Sequence, residues 1–241
     1  MFRWLSALLL AGAMSLSVQA ESVTEKIQAK LVEAFPSHVP DSIVKSPVQG
    51  LYEVAYGAQV IYVTEDGKHI IQGVLMDIED GKKDLTAIAQ NKARKNYLSA
   101  VSGQEAISFG AEKPRHTVTV FTDIECGYCR KLHAEMDQYA SYGIKINYLM
   151  FPRHGVTSVG YTKAVSVWCS NDRKDALTKA KNGESLEAEN CENPVAEQFE
   201  LGQKLGVNGT PAILTADGNL LPGYKPAKQL AQELDELASN N

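Results

Sequence analysis

No cysteine occurs before Cys126 in this 241-residue chain, and only four follow: Cys126, Cys129, Cys169 and Cys191. The first half is therefore without thiol chemistry or disulfide bracing. Zinc would require a second close pair of Cys or His ligands beside Cys126 and Cys129. Cys169 and Cys191 stand 22 positions apart with no adjacent partner, so no metal site is expected. An excess of positive charge is also missing. Lys and Arg total 24 against 29 for Asp and Glu, a net charge of -5, with both signs interspersed. That excludes the clustered basic face of a nucleic-acid-binding protein. Beyond residue 20, no apolar run reaches the roughly 20 residues of a membrane-spanning helix.

The chain opens with Arg3, an apolar stretch from Leu5 to Val18, and Val18-Gln19-Ala20. A charged start, a short apolar region and a small-residue cleavage site predict a signal peptide over residues 1–20. Hydrophobic content of 44% fits a globular protein. The remaining length suits one large domain or two modest ones. In an exported chain an even number of cysteines suggests disulfides, and four allow three pairings. The short spacing favours Cys126 with Cys129, which leaves Cys169 with Cys191.

Residues 21–80 predict a small β-rich module. Val23, Ile27 and Leu31 are spaced by four and form one apolar helix face. Ser22 suits the N-cap, and Pro36 and Pro40 mark the helix end. Runs Ser42 to Val48, Leu51 to Tyr56, Gln59 to Thr64 and His69 to Asp77 are rich in strand-forming residues. Glu65-Asp66-Gly67-Lys68 predicts a tight hairpin turn. His38 and His69 are expected at the surface or in turns. About 60 residues bury only a marginal core, and an open sheet edge invites pairing with another copy. The expectation is a dimerisation or binding module. Residues 81–103 predict a helical linker capped by Asp84, with a weak apolar stripe and a stop at Ser102-Gly103. It either remains solvated or packs on one domain.

Residues 104–241 follow a different order. The strand-like run His116 to Thr122 leads into Cys126-Gly127-Tyr128-Cys129 and then an amphipathic helix. A second strand follows over Ile144 to Phe151. Helical segments span Ser158 to Cys169, Asp172 to Lys181 and Pro194 to Leu205. Thr210-Pro211 then opens another strand, Asp217-Gly218 turns into Leu220 to Tyr224, and a last helix begins at Pro226. Two thiols two residues apart at a strand–helix junction are a redox dithiol signature.

CxxC at such a junction, followed far downstream by Thr-Pro opening a strand, resembles the thioredoxin fold. The leader, the cysteine-free β module, the helical linker, Phe121-Thr122-Asp123 before the CGYC motif, the second cysteine pair and Thr210-Pro211 together resemble the DsbC family of bacterial periplasmic disulfide isomerases. The resemblance covers essentially the whole mature chain. It implies an α+β N-terminal domain of cystatin-like form, a helical linker and a C-terminal thioredoxin fold with a helical insertion. It also implies a V-shaped homodimer with an open apolar cleft for misfolded disulfide-containing periplasmic proteins. A membrane reductase of the DsbD type would keep it reduced, and no cofactor is implied beyond the Cys126-Cys129 pair. One departure is visible: where thioredoxin carries a buried acid six residues before the first cysteine, this chain has Val120.

The residues suggest roles. Cys126, at a helix start, would be the lower-pKa nucleophile. Cys129, one turn in, would resolve the mixed disulfide. By resemblance, Thr210 and Pro211 contact substrate beside the sulfurs. Tyr128 offers an exposed aromatic contact or packs. Cys169–Cys191 is structural. Asp123 and Glu125 are expected to be solvated carboxylates, and His133 a solvent-facing helix residue. The rival functions are a dithiol oxidase of the DsbA type, a chaperone-like binding protein with incidental thiols, and a DsbG-like relative.

Overall fold

The computed structural model describes residues 22–79, 81–101 and 106–239. The leader expected over 1–20 and the helix stop expected at Ser102-Gly103 lie outside the described residues.

Helix α1 (Val23–Ala34) begins with a reciprocal cap. Ser22 Oγ accepts from the Glu25 N–H at 3.2 Å, and the Glu25 carboxylate accepts from the Ser22 N–H at 2.8 Å. Two donors that every helix start leaves open are thereby satisfied. Ile27 and Leu31 bury against Tyr52, Val54 and Val63, each contributing about 1.5–3 kcal/mol. Strands β1 (Ser42–Lys45), β2 (Leu51–Tyr56), β3 (Gln59–Thr64) and β4 (Ile70–Ile71) form an antiparallel meander in chain order. The run from His69 to Asp77 is not one strand. It divides into β4 and β5 (Met76–Asp77), and β5 pairs with β6 (Lys83–Asp84). Gly73 lies inside the run, and glycine weakens a strand interior.

Helix α2 (Leu85–Val101) starts where Asp84 Oδ1 accepts from the Ala87 N–H at 2.8 Å. It packs on both flanking sheets through polar contacts, and Tyr97 and Leu98 near its end add apolar packing against Phe121, Leu201 and Leu205. Thr86 Oγ1 lies 2.6 Å from the Tyr62 hydroxyl. Arg94 Nε donates to the Leu205 carbonyl at 3.0 Å, Asn91 Nδ2 donates to Asn219 at 2.6 Å, and Lys95 pairs with Asp217 at 2.9 Å. Two turns carry glycine where backbones come close, one against α2 and one against Lys204. A Cβ on Gly218 (φ +86) would meet the Asn91 carbonyl oxygen at 2.0 Å. One on Gly57 (φ +60) would meet the Lys204 carbonyl oxygen at 2.2 Å, the same atom that accepts from the Ala58 N–H at 2.7 Å.

The second sheet holds β7 (Ile107–Gly110), β8 (His116–Thr122), β9 (Ile144–Met150), β10 (Ala212–Thr215) and β11 (Leu220–Pro222), in the order β11-β10-β8-β9-β7. Only β8 and β9 are parallel. Their crossover runs through α3 (Gly127–Ala134) and α4 (Met136–Ser141), as a parallel pair requires. Helices α5 (Val159–Cys169), α6 (Arg173–Lys181) and α7 (Val195–Lys204) are inserted between β9 and β10, and α8 (Ala227–Ser239) closes the chain. Strand alternation loads both faces. Val118, Val120, Ile146 and Tyr148 face Leu132, Trp168, Leu177 and Leu230. Phe121 and Leu149 face Leu201, Leu205 and Leu214. Strand β7 was not anticipated, because four residues ending in Ser108-Phe109-Gly110 carry too little pattern to mark an edge strand.

Candidate active site

Strand β8 ends at Thr122, and Cys126 is the N-cap residue of α3, with φ -85 and ψ 120. Its side chain makes no capping hydrogen bond. Its sulfur is therefore left at a helix start, where unpaired N–H groups and the helix dipole favour negative charge. The antiparallel register of β8 with β10 sets Ala212 opposite Phe121. This carries the cis Thr210-Pro211 bond to the mouth of the same junction. The Cys126 thiol donates to the Thr210 carbonyl at 3.2 Å. Cys129 lies one turn into α3 and is fully buried, and both thiols are free.

The two sulfurs are pushed apart in acidity. A hydrogen bond from Cys129 is the largest influence on Cys126 and draws its pKa down to about 5. Burial opposes the shift, while the Thr210 hydroxyl and the Arg153 charge add to it. That hydroxyl is buried with no other hydrogen-bond partner, so it is available to the thiolate. Cys129 moves the other way, above the ordinary thiol range, first through burial and then because its proton serves Cys126. Cys126 is 3% exposed and Cys129 not at all; the low-pKa sulfur is the nucleophile and the protected thiol the reserve nucleophile.

Asp123 is not a solvated carboxylate. Its side chain is buried, with Oδ1 accepting from the Glu125 N–H at 2.8 Å and Oδ2 accepting from Arg153 N and Nε, both at 3.0 Å. The β8–α3 turn points it inward, and Arg153, in the segment after β9, neutralises it. This bond holds the Arg153 pKa up and places its charge beside Cys126. Glu125 is partly exposed and pairs with Lys163 at 2.9 Å. His133 is not solvent-facing either. It is buried against Phe109 and Tyr148, its Nε2 lies 3.0 Å from Thr178 Oγ1, and burial pushes its pKa down to about 4. The packing of α6 and β7 on α3 covers a position that helical periodicity alone assigns to the surface.

Tyr128 is 65% exposed beside the pair and stacks on Tyr224 at 6.2 Å between centroids. The Tyr224 hydroxyl donates to Glu135. Cys169 and Cys191 are joined, linking the end of α5 to the segment before α7. His38 and His69 are exposed. Among the described residues, no three His, Cys, Asp or Glu side chains converge as a metal would need, and no helix is long and apolar enough to cross a membrane.

Two residues of the site had no role assigned from the sequence: Arg153, beside Cys126, and Lys181. Lys181 closes α6 only 3% exposed, its Nζ donates to Thr122 Oγ1 at 2.8 Å, and its charge acts on Cys129. The signal was present: Lys181 follows the apolar Leu177 by four, which puts both on one helix face.

Both halves of the chain resemble known proteins. The thioredoxin-like domain family matches residues 103–238, and the disulfide bond isomerase protein N-terminal domain family matches residues 18–87. The thiol:disulfide interchange protein DsbC of Escherichia coli strain K12 is 40% identical over 194 residues, covering 80% of each chain. That of Pasteurella multocida is 33% identical over 231 residues, covering 95% of this chain and 97% of the relative. Among solved structures, a disulfide interchange protein from Neisseria gonorrhoeae is 30% identical, with a TM-score of 0.49, over 54% of this chain and 94% of that one. With a helix-plus-antiparallel-sheet module, a linking helix, a thioredoxin-like sheet and a CxxC pair at its strand–helix junction, the chain belongs to the DsbC family of thiol:disulfide interchange proteins, disulfide isomerases.

Proposed function

We propose that the chain is a periplasmic, homodimeric isomerase that acts on misfolded disulfide-containing proteins through Cys126. The joining of this dithiol site to a module that matches the disulfide bond isomerase N-terminal domain supports this reading over a simple oxidase. The Cys126 thiolate attacks one sulfur of a wrong disulfide. A bond forms between Cys126 and that sulfur, the old S–S bond breaks, and the other substrate sulfur leaves as a thiolate. A different substrate thiolate then displaces Cys126 to form a new pairing, which is isomerisation. Alternatively, Cys129 displaces the substrate, leaving substrate reduced and enzyme oxidised. A membrane reductase of the DsbD type would return the pair to thiols.

Thr210 and Pro211, beside the Cys126 sulfur, and the exposed Tyr128 form the wall that a substrate strand meets. Cys169–Cys191 braces the insertion. In this reading residues 21–80 dimerise, 81–103 link and 104–241 catalyse. The exposed Ile70 and Ile71 on edge strand β4, with Val74, Met76 and Ile78 after it, support dimerisation. The apolar cleft between protomers would also retain unfolded chains, a chaperone activity beside catalysis.

Cys129→Ala tests the assignment. It should accumulate a mixed disulfide between Cys126 and substrate; failure to trap one with Cys126 intact removes Cys129 as resolving thiol. Regain of activity from scrambled ribonuclease tests isomerisation. One observation favours a second reading: a depressed Cys126 pKa makes that sulfur a good leaving group, which suits a dithiol oxidase or a DsbG-like relative. A protein that oxidises reduced ribonuclease but does not rescue the scrambled form would establish the oxidase.

A further inference from the structure

Lys181 has no packing reason to be a lysine. An ammonium carries three donors, and among the described contacts one is used, toward Thr122 Oγ1 at 2.8 Å. The face of Tyr148 also lies near, with Nζ 5.4 Å from the ring centroid. The Tyr148 hydroxyl is itself buried without a partner. Burying an ammonium with so little compensation is unfavourable. A methionine of similar length would fill the same space on α6 at no such cost. The burial is strong enough to pull the lysine pKa down to about 8.

The charged and titratable groups facing this amine come from the elements around it. Cys126 caps α3, Cys129, Arg130 and His133 lie on it, Asp123 is in the turn before it, and Tyr148 is on β9. Asp123 is taken up by Arg153, and Tyr148 and His133 are neutral. Cys129 is the group whose charge must change during the reaction. The Thr122 hydroxyl that accepts from Lys181 also acts on the Cys129 sulfur, and both it and the lysine charge favour the Cys129 thiolate against burial. A hydroxyl has one proton to give, so accepting from Lys181 leaves that proton free for the sulfur. Val120, on the same face of β8, is apolar and fully buried, and supplies no charge.

We infer that Lys181, acting through Thr122, is a positioning residue for the resolving step. It holds a fixed positive charge and an oriented hydroxyl against the Cys129 sulfur as that buried atom becomes the nucleophile. In that step a bond forms between Cys129 and Cys126, and the bond between Cys126 and the substrate sulfur breaks. The bonding pair departs on the substrate sulfur. The proton given up by Cys129 ends on the departing sulfur, which leaves as a thiol. The enzyme pair is oxidised, the substrate is reduced, and Lys181 remains a cation throughout. This inference rests on Cys129 being the resolving thiol.

The test uses the full mature chain carrying a glutathione mixed disulfide on Cys126, and measures glutathione release by stopped flow. In Lys181→Met, release should slow about tenfold, the effect of one unit of thiol acidity. Alkylation of Cys126 in the reduced protein should stay within about threefold, and the melting temperature should equal or exceed that of the parent. Thr122→Val should reproduce the slow release, and Thr122→Ser, which keeps the hydroxyl, should restore it. Release at the parent rate in folded Lys181→Met overturns the inference. So does a lowered melting temperature with both rates falling together, which marks a packing residue. If Lys181→Met does not fold, the Val and Ser variants of Thr122 decide: equal release from the two overturns it. Cys129→Ala keeps the underlying assignment separate. No trapped mixed disulfide there defeats the resolving role itself, whereas a trapped one with parent-rate release in Lys181→Met removes only the part played by Lys181.

Discussion

The two cysteine pairs contain the same atoms and differ in almost everything around them. Cys126 and Cys129 share one helical turn at the end of β8, with a cation, a hydroxyl and a helix start turned toward the sulfurs. Cys169 and Cys191 close an excursion of 22 positions between the end of α5 and the segment before α7, and neither titrates. A thiol becomes reactive when something stabilises its thiolate. A disulfide becomes a brace when it closes a long loop away from such groups. The surroundings, not the residue type, separate exchange chemistry from reinforcement.

The largest expected contrast comes from deleting one member of each pair. Cys126→Ser should reduce recovery of scrambled ribonuclease to background, whereas a Cys169→Ala/Cys191→Ala double variant should retain most of the activity. Comparable losses would erase the distinction. Next is pH. The thiolate is the deprotonated form, so a depressed pKa extends reactivity toward acid. Alkylation of Cys126 should be flat from pH 7 down to about 6 and fall through about pH 5. An ordinary thiol loses about tenfold per unit below 8.5. A midpoint near 8.5, read by mass spectrometry of the alkylated protein, would contradict the thiolate environment described here.

Removing the bridge should instead appear in stability. A loop of this length predicts a loss of about 3 kcal/mol, measured by urea unfolding with Cys126 and Cys129 held reduced. A loss below about 0.5 kcal/mol would show that the insertion stands without it. The smallest effect is expected at the rim. Tyr128→Ala removes an exposed aromatic and should raise KM for a protein substrate by about fivefold, the equivalent of about 1 kcal/mol, with kcat unchanged. A fall in kcat with KM constant would place Tyr128 in the chemistry instead.

Much of this architecture was legible because its signals are local. Ser22 ahead of the helix, the Val23-Ile27-Leu31 face and Asp84 before α2 are near-neighbour patterns, and each produced the element it announced. The fourth strand of the first module and β7 were misjudged where the pattern was short or interrupted by glycine. Asp123 and His133 were misassigned because exposure is not a near-neighbour property. Asp123 is buried by an arginine 30 positions away, and His133 by α6, whose Thr178 lies 45 positions away.

What the sequence by itself determined is the chemistry available: two thiols at a strand–helix junction, a second pair far from it, and a cysteine-free module ahead of both. Spacing and periodicity are written along the chain, so they can be read along it. What only the tertiary structure decided is how those thiols are tuned. The β8–β10 register delivers Thr210 to Cys126, the segment after β9 delivers Arg153, and the insertion delivers the Lys181 charge that acts on Cys129. Electrostatic influence depends on distance through space and on burial, and both come into being only when the strands close.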